Sequence, residues 1–465
     1  MVKPTTKGKL GNKEMTLSEV KGWFLTKKNN FYCTSKGTDK EFCILANGFW
    51  QAKGYIGGIF RSGLNFYPIC TATQLLSEQS VLFLLRLDKS LSNKGTFNIS
   101  YNSMGKFVII YRLSGWDTFF SIFVPYFYML YGAKYQAIDK IKKIYDLKNL
   151  IKKNSDDMYK VLLISNAYSL TAHSSRYKLS IQDKVVSLNL DPVLLQKVPS
   201  PAGGCPLRGE SPNFFFSSLN NSKKIKGSIN IPENKIYPSF LFILGFFLGD
   251  GTLHLKLEWK QKNSTIVIIP LFNIIQSNVE SNKQIMEIMT NTLNSMGIKT
   301  SLVKSTQTLT LTVKGIDNVF KSLFPLLEKY SHFLYWKSDR FNLLVWVKQL
   351  VKSGGHHTYF GLNALIYKIY SSVNERFTDK EVWISRLNIW LKAVSDRRDW
   401  GEYYIYPIYT PNKVIRGWQV RFPSTLKLPK SNKAFLCSTC GGQDKALLLA
   451  VEYRDKIISD WINTF

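Results

Sequence analysis

Acidic residues are scarce in this sequence. Its 465 residues include 32 Asp and Glu against 62 Lys and Arg, so the formal net charge at pH 7 is +30. Such an excess favours a polyanionic partner, because contacts from Lys and Arg to phosphate groups supply most non-specific affinity for nucleic acid. It argues against a purely structural interaction protein. A basic surface that only maintains solubility and an anionic membrane surface are the alternatives, but no long basic amphipathic helix supports the membrane.

Long apolar runs are also missing. The most apolar stretches, residues 119–130 and 240–248, are shorter than the roughly 20 residues that a membrane-spanning helix requires. Residues 1–15 are basic and polar, without the apolar core of a secretion signal or the pattern of a transit peptide. We therefore expect a soluble protein with no membrane partner.

Cysteine is infrequent, and its spacing is irregular. The six cysteines are Cys33, Cys43, Cys70, Cys205, Cys437 and Cys440. Their scatter argues against a disulfide framework. Cys437 and Cys440 form a C-x-x-C pair, but a zinc site needs further ligands nearby and none is evident. His356 and His357 are adjacent, and we favour a loop role over metal binding because neighbouring side chains generally point apart.

The sequence repeats itself with an offset of about 200 residues. The matching pairs, in the same order along the chain, are 68–74 with 270–276, 115–125 with 315–325, and Gly54 with Gly251. Segments 115–125 and 315–325 share the pattern G-x-D-x-x-F-x-x-x-x-P, whose acids, Asp117 and Asp317, are well placed to cap the helix that follows. We infer a duplicated domain.

Both copies predict the same order of elements, αββαββα, from β-branched enrichment and periodicity. For the first copy we predict a helix ending at Gly54, strands 55–60 and 64–74, a helix 75–91, strands 96–101 and 107–113, and a helix from Asp117. For the second we predict a helix ending at Gly251, strands 252–259 and 265–276, a helix 281–296, strands 299–303 and 308–313, and a helix from Asp317.

The first helix of each copy carries small residues near its end. Residues 243–251 read ILGFFLGDG, with Gly245, Gly249 and Asp250, and residues 46–54 read ANGFWQAKG. With the repeats, this motif resembles the LAGLIDADG homing endonucleases and their intron maturase relatives. The resemblance implies an α+β fold in which two pseudo-symmetric αββαββα repeats form saddle-shaped antiparallel sheets.

The domain boundaries follow from these repeats. We predict a basic N-terminal extension at 1–39, a degenerate first repeat with a basic helical extension at 40–189, a Pro/Gly/Ser linker at 190–237, a second repeat at 238–400 and a C-terminal module at 401–465. Because one chain holds both repeats, we expect a monomer.

The resemblance also implies a metal centre, in which one acid from each helix binds divalent metals that activate water. Here Asp250 keeps its acid, whereas Lys53 stands at the matching position. An ammonium cannot bind Mg²⁺ and would repel it or pair with Asp250, so we expect at most one Mg²⁺ site and impaired cleavage, with nicking of one strand still open. Basic residues near the metals are also implied, for which Lys106 and Lys304 are candidates. Alternatively, Asp250 only caps its helix.

The family reads DNA bases with outward-facing side chains of its sheets. By this resemblance the candidates are Arg61, Gln74, Lys256, Lys260 and Gln276. Gln, Lys and Arg suit base edges in the major groove. The alternative is that they are ordinary solvated residues of a sheet.

Residues 402–460 predict three strands, at 403–409, 415–422 and 433–437, and a helix that Gly441 and Gly442 open. The run from Gly417 to Asp455 resembles the APETALA-type DNA-binding domain, whose sheet enters the major groove. If the module is a βββα domain of this kind, the residues predicted to contact nucleic acid are Arg416, Trp418, Gln419 and Arg421. The loop 426–432 departs from a tight hairpin, and a ββα cap that only packs on the core is the alternative.

Two functions remain open. The first is an intron-encoded homing endonuclease whose cleavage Lys53 impairs. The second is a non-catalytic RNA-binding protein, either an intron maturase that assists splicing or a ribosome-associated derivative. The resemblance implies a mitochondrial location for both.

Overall fold

The computed structural model describes most of the chain. The described residues are 7–10, 13–31, 37–60, 63–171, 180–197, 239–372, 379–395, 404–424, 426, 428 and 432–464. Most of the predicted linker, at 198–238, lies outside them, and so does Arg61.

The first repeat has the predicted order of elements. They are α2 (Asp39–Lys53), β3 (Gly54–Phe60), β4 (Phe66–Leu75), α3 (Glu78–Ser90), β5 (Thr96–Tyr101) and β6 (Phe107–Ser114). The strands form one antiparallel sheet in the order β3-β4-β6-β5. Ahead of the repeat lie a hairpin and a helix, namely β1 (Lys7–Leu10), β2 (Lys13–Thr16) and α1 (Leu17–Asn29).

The second repeat has the same architecture. Its elements are α9 (Phe240–Asp250), β7 (Gly251–Lys260), β8 (Thr265–Ser277), α10 (Glu280–Ser295), β9 (Ser301–Lys304) and β10 (Thr308–Lys314). The strand order β7-β8-β10-β9 matches that of the first sheet. The α+β class and the duplicated αββαββα order are therefore confirmed.

Helices α2 and α9 are the first helices of the two repeats, and each ends where a strand begins. The Thr38 side chain and Glu41 form a capping box at the start of α2, which supplies partners for its first N–H groups. Residues 240–248 of α9 are all buried, so this helix is apolar around its whole circumference. Both helices pass directly into a strand at Gly54 and Gly251.

The prediction that Asp117 caps a helix is wrong. That helix begins at Trp116 with Gly115 as its N-cap, and no side chain caps it, because Gly115 at φ 97° makes the turn that an acid was expected to make. Asp317 likewise makes no capping bond and pairs with Lys321 at 2.8 Å.

Each closing helix contains a π-helical turn. The segments are α4 (Trp116–Thr118), a π turn Phe119–Phe123 and α5 (Val124–Tyr126) in the first repeat, and a π turn Asn318–Leu323 and α11 (Phe324–Lys329) in the second. Pro125 and Pro325 fall in the first turn after the π segment, where a missing N–H is tolerated.

Further helices follow each repeat. After the first repeat come α6 (Gly132–Lys153), α7 (Asp157–Thr171), α8 (Ile181–Val186) and a 3₁₀ turn Pro192–Lys197. After the second come α12 (Ser338–Lys352), a 3₁₀ turn Gly355–His357, α13 (Tyr359–Ser372) and α14 (Lys380–Ser395). The start of the predicted linker is thus helical, whereas the helical extension lies where the sequence indicated.

The C-terminal module is a three-stranded antiparallel sheet backed by a helix. Its elements are β11 (Ile405–Tyr409), β12 (Ile415–Val420), β13 (Lys433–Leu436), α15 (Cys437–Cys440) and α16 (Gln443–Ile462). Its core consists of Ile405, Trp418, Val420, Phe435, Ala446 and Ala450. The βββα order agrees with the prediction, and the likeness to an APETALA domain stays a prediction.

The chain divides into two compact units. One comprises residues 1–251 and 274–311, and it holds the first sheet and the helices α2 and α9. The other comprises residues 252–273 and 312–465, and it holds α12 to α14 and the C-terminal module. Within the described part of the chain, no helix has both the length and the apolar character that crossing a bilayer requires.

Candidate functional site at the ends of two packed helices

Helices α2 and α9 approach each other through glycines. A Cβ added to Gly48 would lie 1.9 Å from Phe242 O, and one added to Gly245 would lie 1.9 Å from Leu45 O. The two contacts are reciprocal, since Gly48 and Gly245 occupy matching positions in the repeats. No other residue type fits at these positions without moving a backbone.

The same packing brings the two ends of the helices together. Gly249 faces Ala52, whose Cβ would lie 2.5 Å from an added Cβ. At the last position of each helix, Lys53 Nζ lies 2.5 Å from Asp250 Oδ1. The Asp250 side chain is 19% exposed and the Lys53 side chain 38% exposed. An ion pair therefore occupies the place where the resemblance implied two acids.

Gln276 completes the contacts of Asp250. Its Nε2 donates a hydrogen bond of 2.7 Å to Asp250 Oδ2. The resemblance makes this residue a candidate reader of bases, but its amide is bound to the carboxylate. Both oxygens of Asp250 thus accept from side-chain N–H groups. This differs from the alternative that Asp250 only caps its helix.

Lys134, near the start of α6, is a member of this site that the sequence did not reveal. Its Nζ donates to Trp50 O at 2.8 Å and to Gly54 O, which are carbonyls at the C-terminal end of α2. Burial lowers the pKa of Lys134 to about 7; the Asp250 charge opposes this shift and the Lys53 charge adds to it. In the sequence Lys134 is one of many lysines of a basic helix, and no signal distinguishes it.

The residues present do not fit a divalent-metal centre of the implied kind. Mg²⁺ requires unprotonated oxygen ligands. Asp250 is the single acid of the pair of helix ends, and its two oxygens already accept from Lys53 and Gln276. Among the described residues, no three His, Cys, Asp or Glu side chains cluster as a metal site. The geometry does not support the single Mg²⁺ site expected at Asp250.

Two further lysines were candidates by resemblance. Lys304 Nζ pairs with Glu287 at 2.9 Å, and both side chains are about half exposed. Lys106 lies in the turn between β5 and β6, where its backbone N–H donates to Asn102 Oδ1 at 2.9 Å. Their proposed roles beside the reacting phosphates stay predictions.

The remaining candidates on the sheets have mixed surroundings. Lys256 is exposed on β7, and Lys260 pairs with Glu258. Gln74 is partly exposed near the end of β4, opposite Ile109 of β6. Lys256 and Lys260 are thus both exposed cations on β7.

In the C-terminal module, the prediction for Trp418 is wrong. The indole is 2% exposed and its Nε1 donates to Gln443 O at 3.2 Å, because its face of β12 packs against α16. Gln419 lies on the opposite face and accepts at 2.7 Å from Arg421 Nε. The Arg421 guanidinium also lies 6.0 Å from the centre of the Tyr406 ring.

Arg416 of β12 is exposed, as its proposed role requires. Cys437 and Cys440 are free thiols that pack against the core of the module.

His356 and His357 lie in the 3₁₀ turn between α12 and α13. Burial lowers the pKa of His356 to about 4.

The comparisons with known proteins give structural matches only. No family model matches the sequence, and no curated protein matches it. The fold is similar to that of the LAGLIDADG meganuclease I-CpaMI bound to uncleaved DNA, with a TM-score of 0.52 and 16% identity over 72% of this chain and 99% of that one.

Two structures of the meganuclease I-SmaMI are similar as well. The one bound to uncleavable DNA with a TTGT central four has a TM-score of 0.51 and 17% identity over 74% of this chain and 100% of that one. The one bound to uncleaved DNA with calcium ions has a TM-score of 0.50 and 16% identity over 72% and 99% of the two chains. At this identity the likeness establishes the fold.

Proposed function

We propose that this chain, whose fold is that of the single-chain LAGLIDADG homing endonucleases, binds a specific DNA duplex without cutting both of its strands. The observation that carries this proposal is the ion pair between Lys53 and Asp250 at 2.5 Å, at the ends of the two central helices. The fold supports the binding, and the ion pair accounts for the impaired cleavage.

Three features support DNA as the partner. The similar structures are complexes with DNA. The net charge of +30 suits a phosphate backbone. Both four-stranded sheets are intact, and Lys256 offers an exposed cation on the second of them. These features favour a duplex over the RNA of an intron maturase.

The impaired cleavage follows from the charges at the centre. Cutting two strands by a two-metal mechanism needs a carboxylate on each side. Lys53 supplies an ammonium on one side, and its charge repels a divalent ion. Any remaining activity would be limited to nicking one strand, and the contacts of Asp250 with Lys53 and Gln276 disfavour even that.

The C-terminal module extends the proposed DNA contact. Gln419, Arg421 and the exposed Arg416 are polar groups suited to base edges or phosphates. The mitochondrial location and the intron-encoded origin belong to the proposal by resemblance alone.

Selection from a library of random duplexes tests the binding. We expect one consensus to emerge, and to bind at least about 1,000-fold more tightly than a scrambled duplex at fixed salt. A structured RNA pool in the same selection is the competitor. The proposal fails if no duplex consensus emerges, or if RNA is retained more tightly than the selected duplex at matched salt.

The Lys53→Glu variant tests the cause of the impaired cleavage. A second acid beside Asp250 restores the charge pattern that divalent metals require. We expect this variant to cut the selected duplex faster than the wild type in Mg²⁺ or Mn²⁺. Lys53→Gln is the matched control, because it removes the ammonium without adding an acid. Equal rates for all three proteins would contradict the assignment.

A further inference from the structure

The carboxylate of the central site already has side-chain donors from the protein itself, one of them a cation. Lys53 Nζ contacts one oxygen of Asp250 and Gln276 Nε2 contacts the other. A divalent ion next to Asp250 would have to displace one of these donors. The charge that balances this carboxylate is therefore an ammonium of the chain.

A second lysine contacts the end of helix α2. The C-terminal end of a helix carries partial negative charge on its unpaired carbonyls. Lys134 Nζ donates to two carbonyls at this end, Trp50 O and Gly54 O, on either side of Lys53 in the chain. Lys134 thereby holds the backbone on both sides of Lys53, and Asp250 holds the Lys53 side chain.

The two members of the ion pair differ in access to solvent. The Lys53 side chain is twice as exposed as that of Asp250, at 38% against 19%. An ammonium has further N–H donors beyond the one that a single carboxylate oxygen accepts. The centre therefore presents a positive group outward, with its acid covered.

We propose that this centre binds a phosphodiester of the DNA backbone through the Lys53 ammonium and needs no divalent cation to do so. Asp250 and Lys134 act as positioning residues for that ammonium. The inference rests on the proposed DNA binding. It adds that the ligand of the central site is a phosphodiester and that this ligand binds without a metal ion.

The wild-type protein gives the first test. Its Kd for the selected duplex is measured by fluorescence anisotropy in EDTA and in Ca²⁺ at equal ionic strength. We expect the two values to agree within about twofold, or about 0.4 kcal/mol. Affinity that rises about tenfold or more in Ca²⁺ overturns the inference and leaves the proposed function standing. If no duplex binds in either buffer, the proposed function fails and takes the inference with it.

A pair of double variants tests the phosphate contact. Lys53→Met/Asp250→Asn removes the ion pair without leaving an unpaired charge. We expect its Kd to rise about tenfold, and the slope of log affinity against log salt to fall by about 1. Lys321→Met/Asp317→Asn is the matched control, because it removes an exposed pair of the same kind whose atoms are 2.8 Å apart. Equal losses of affinity in both double variants would overturn the proposed contact between Lys53 and a phosphate.

Melting curves identify a variant that does not fold. The comparison of EDTA with Ca²⁺ uses the wild-type chain, so it decides the metal independence even if the Lys53→Met/Asp250→Asn protein unfolds. In that case Lys53→Gln tests the contact, since it removes the ammonium and keeps a polar side chain. Its affinity should fall about tenfold, and Ca²⁺ should not restore it, whereas an affinity equal to that of the wild type overturns the contact.

Discussion

At the scale of single residues, two glycines decide whether the central helices can meet. Gly48 and Gly245 each face a backbone carbonyl of the other helix at a distance that leaves no room for a Cβ. The packing therefore depends on these positions more than on the apolar residues around them, which tolerate changes of volume better.

We expect Gly48→Ala to destabilise the protein by about 3 kcal/mol, since its Cβ would lie 1.9 Å from Phe242 O and a backbone must move. Chemical denaturation monitored by tryptophan fluorescence measures the change. Gly22→Ala is the control, because nothing lies within 4 Å of its added Cβ in α1 and alanine favours the helix by up to about 1 kcal/mol. Similar losses in both variants would contradict the packing argument.

His356 gives a stability that depends on pH. Burial lowers its pKa in the folded protein from 6.5 to about 4, so the unfolded chain binds the proton first as the pH falls. Stability is fully present above about pH 6.5 and decreases as the pH falls toward 4. Between pH 7 and pH 5 we expect a loss of about 1 kcal/mol after allowance for the exposed part of the ring.

The His356→Gln variant isolates this contribution. Its melting temperature should fall less than that of the wild type between pH 7 and pH 5. The same fall in both proteins would assign the pH dependence to other groups.

The sequence predicted the key residues of the centre only in part. The aligned helix ends identify Asp250 and Lys53, and the attraction of opposite charges predicts their contact. Gln276 and Lys134 escape this reasoning. Gln276 looks like any polar residue of a strand, and the contact of Lys134 with the end of α2 depends on tertiary packing.

At the scale of elements, the end of α2 depends on a residue from another helix. Lys134 of α6 donates to two carbonyls at this end, Gly54 O and Trp50 O, the second of which also accepts from the Gly54 N–H. Helix α6, which the sequence showed only as basic, thus has a defined structural role at the centre.

We expect Lys134→Met to destabilise the protein by about 1–2 kcal/mol, because the two carbonyls lose their donor. Lys143→Met is the control on the same helix, since its pair with Asp139 at 3.0 Å is exposed and should contribute no more than about 0.5 kcal/mol. Urea denaturation of both variants measures the difference. A Lys134 variant as stable as the Lys143 variant would contradict the role.

The sheet of the C-terminal module has one buried and one open face. Trp418 belongs to the buried face, whereas Gln419 and Arg421 contact each other on the open one. We expect Gln419→Ala/Arg421→Ala to lower the affinity for the selected duplex about tenfold without changing the melting temperature. Trp418→Ala should instead destabilise the protein by about 3–5 kcal/mol. A double variant with unchanged affinity would limit this module to packing.

Element boundaries show where local patterns end. Helix α3 was predicted from residue 75 but begins at Glu78, because Ser77 caps it together with Ser80 and β4 extends to Leu75. Residues 75–77 can either pair in a strand or cap a helix, and hydrophobic periodicity alone does not predict which of the two occurs. The repeat, in contrast, gave both sheets correctly, because the same pattern appears twice.

At the scale of the whole molecule, we propose that the fold and the charge serve binding and that the centre determines whether cleavage follows. A net charge of +30 supplies attraction that does not depend on base sequence, and this attraction weakens as salt rises. The duplicated fold provides two sheets in one chain, so no second copy is required to complete it.

The decisive measurement follows a supercoiled plasmid that carries the selected site, incubated with the wild-type protein in Mg²⁺ or Mn²⁺ and resolved on a gel. Because Lys53 holds Asp250 in an ion pair, we expect protein-bound plasmid that stays supercoiled or is nicked in one strand. Linear plasmid cut at the selected site by the wild-type protein would contradict it.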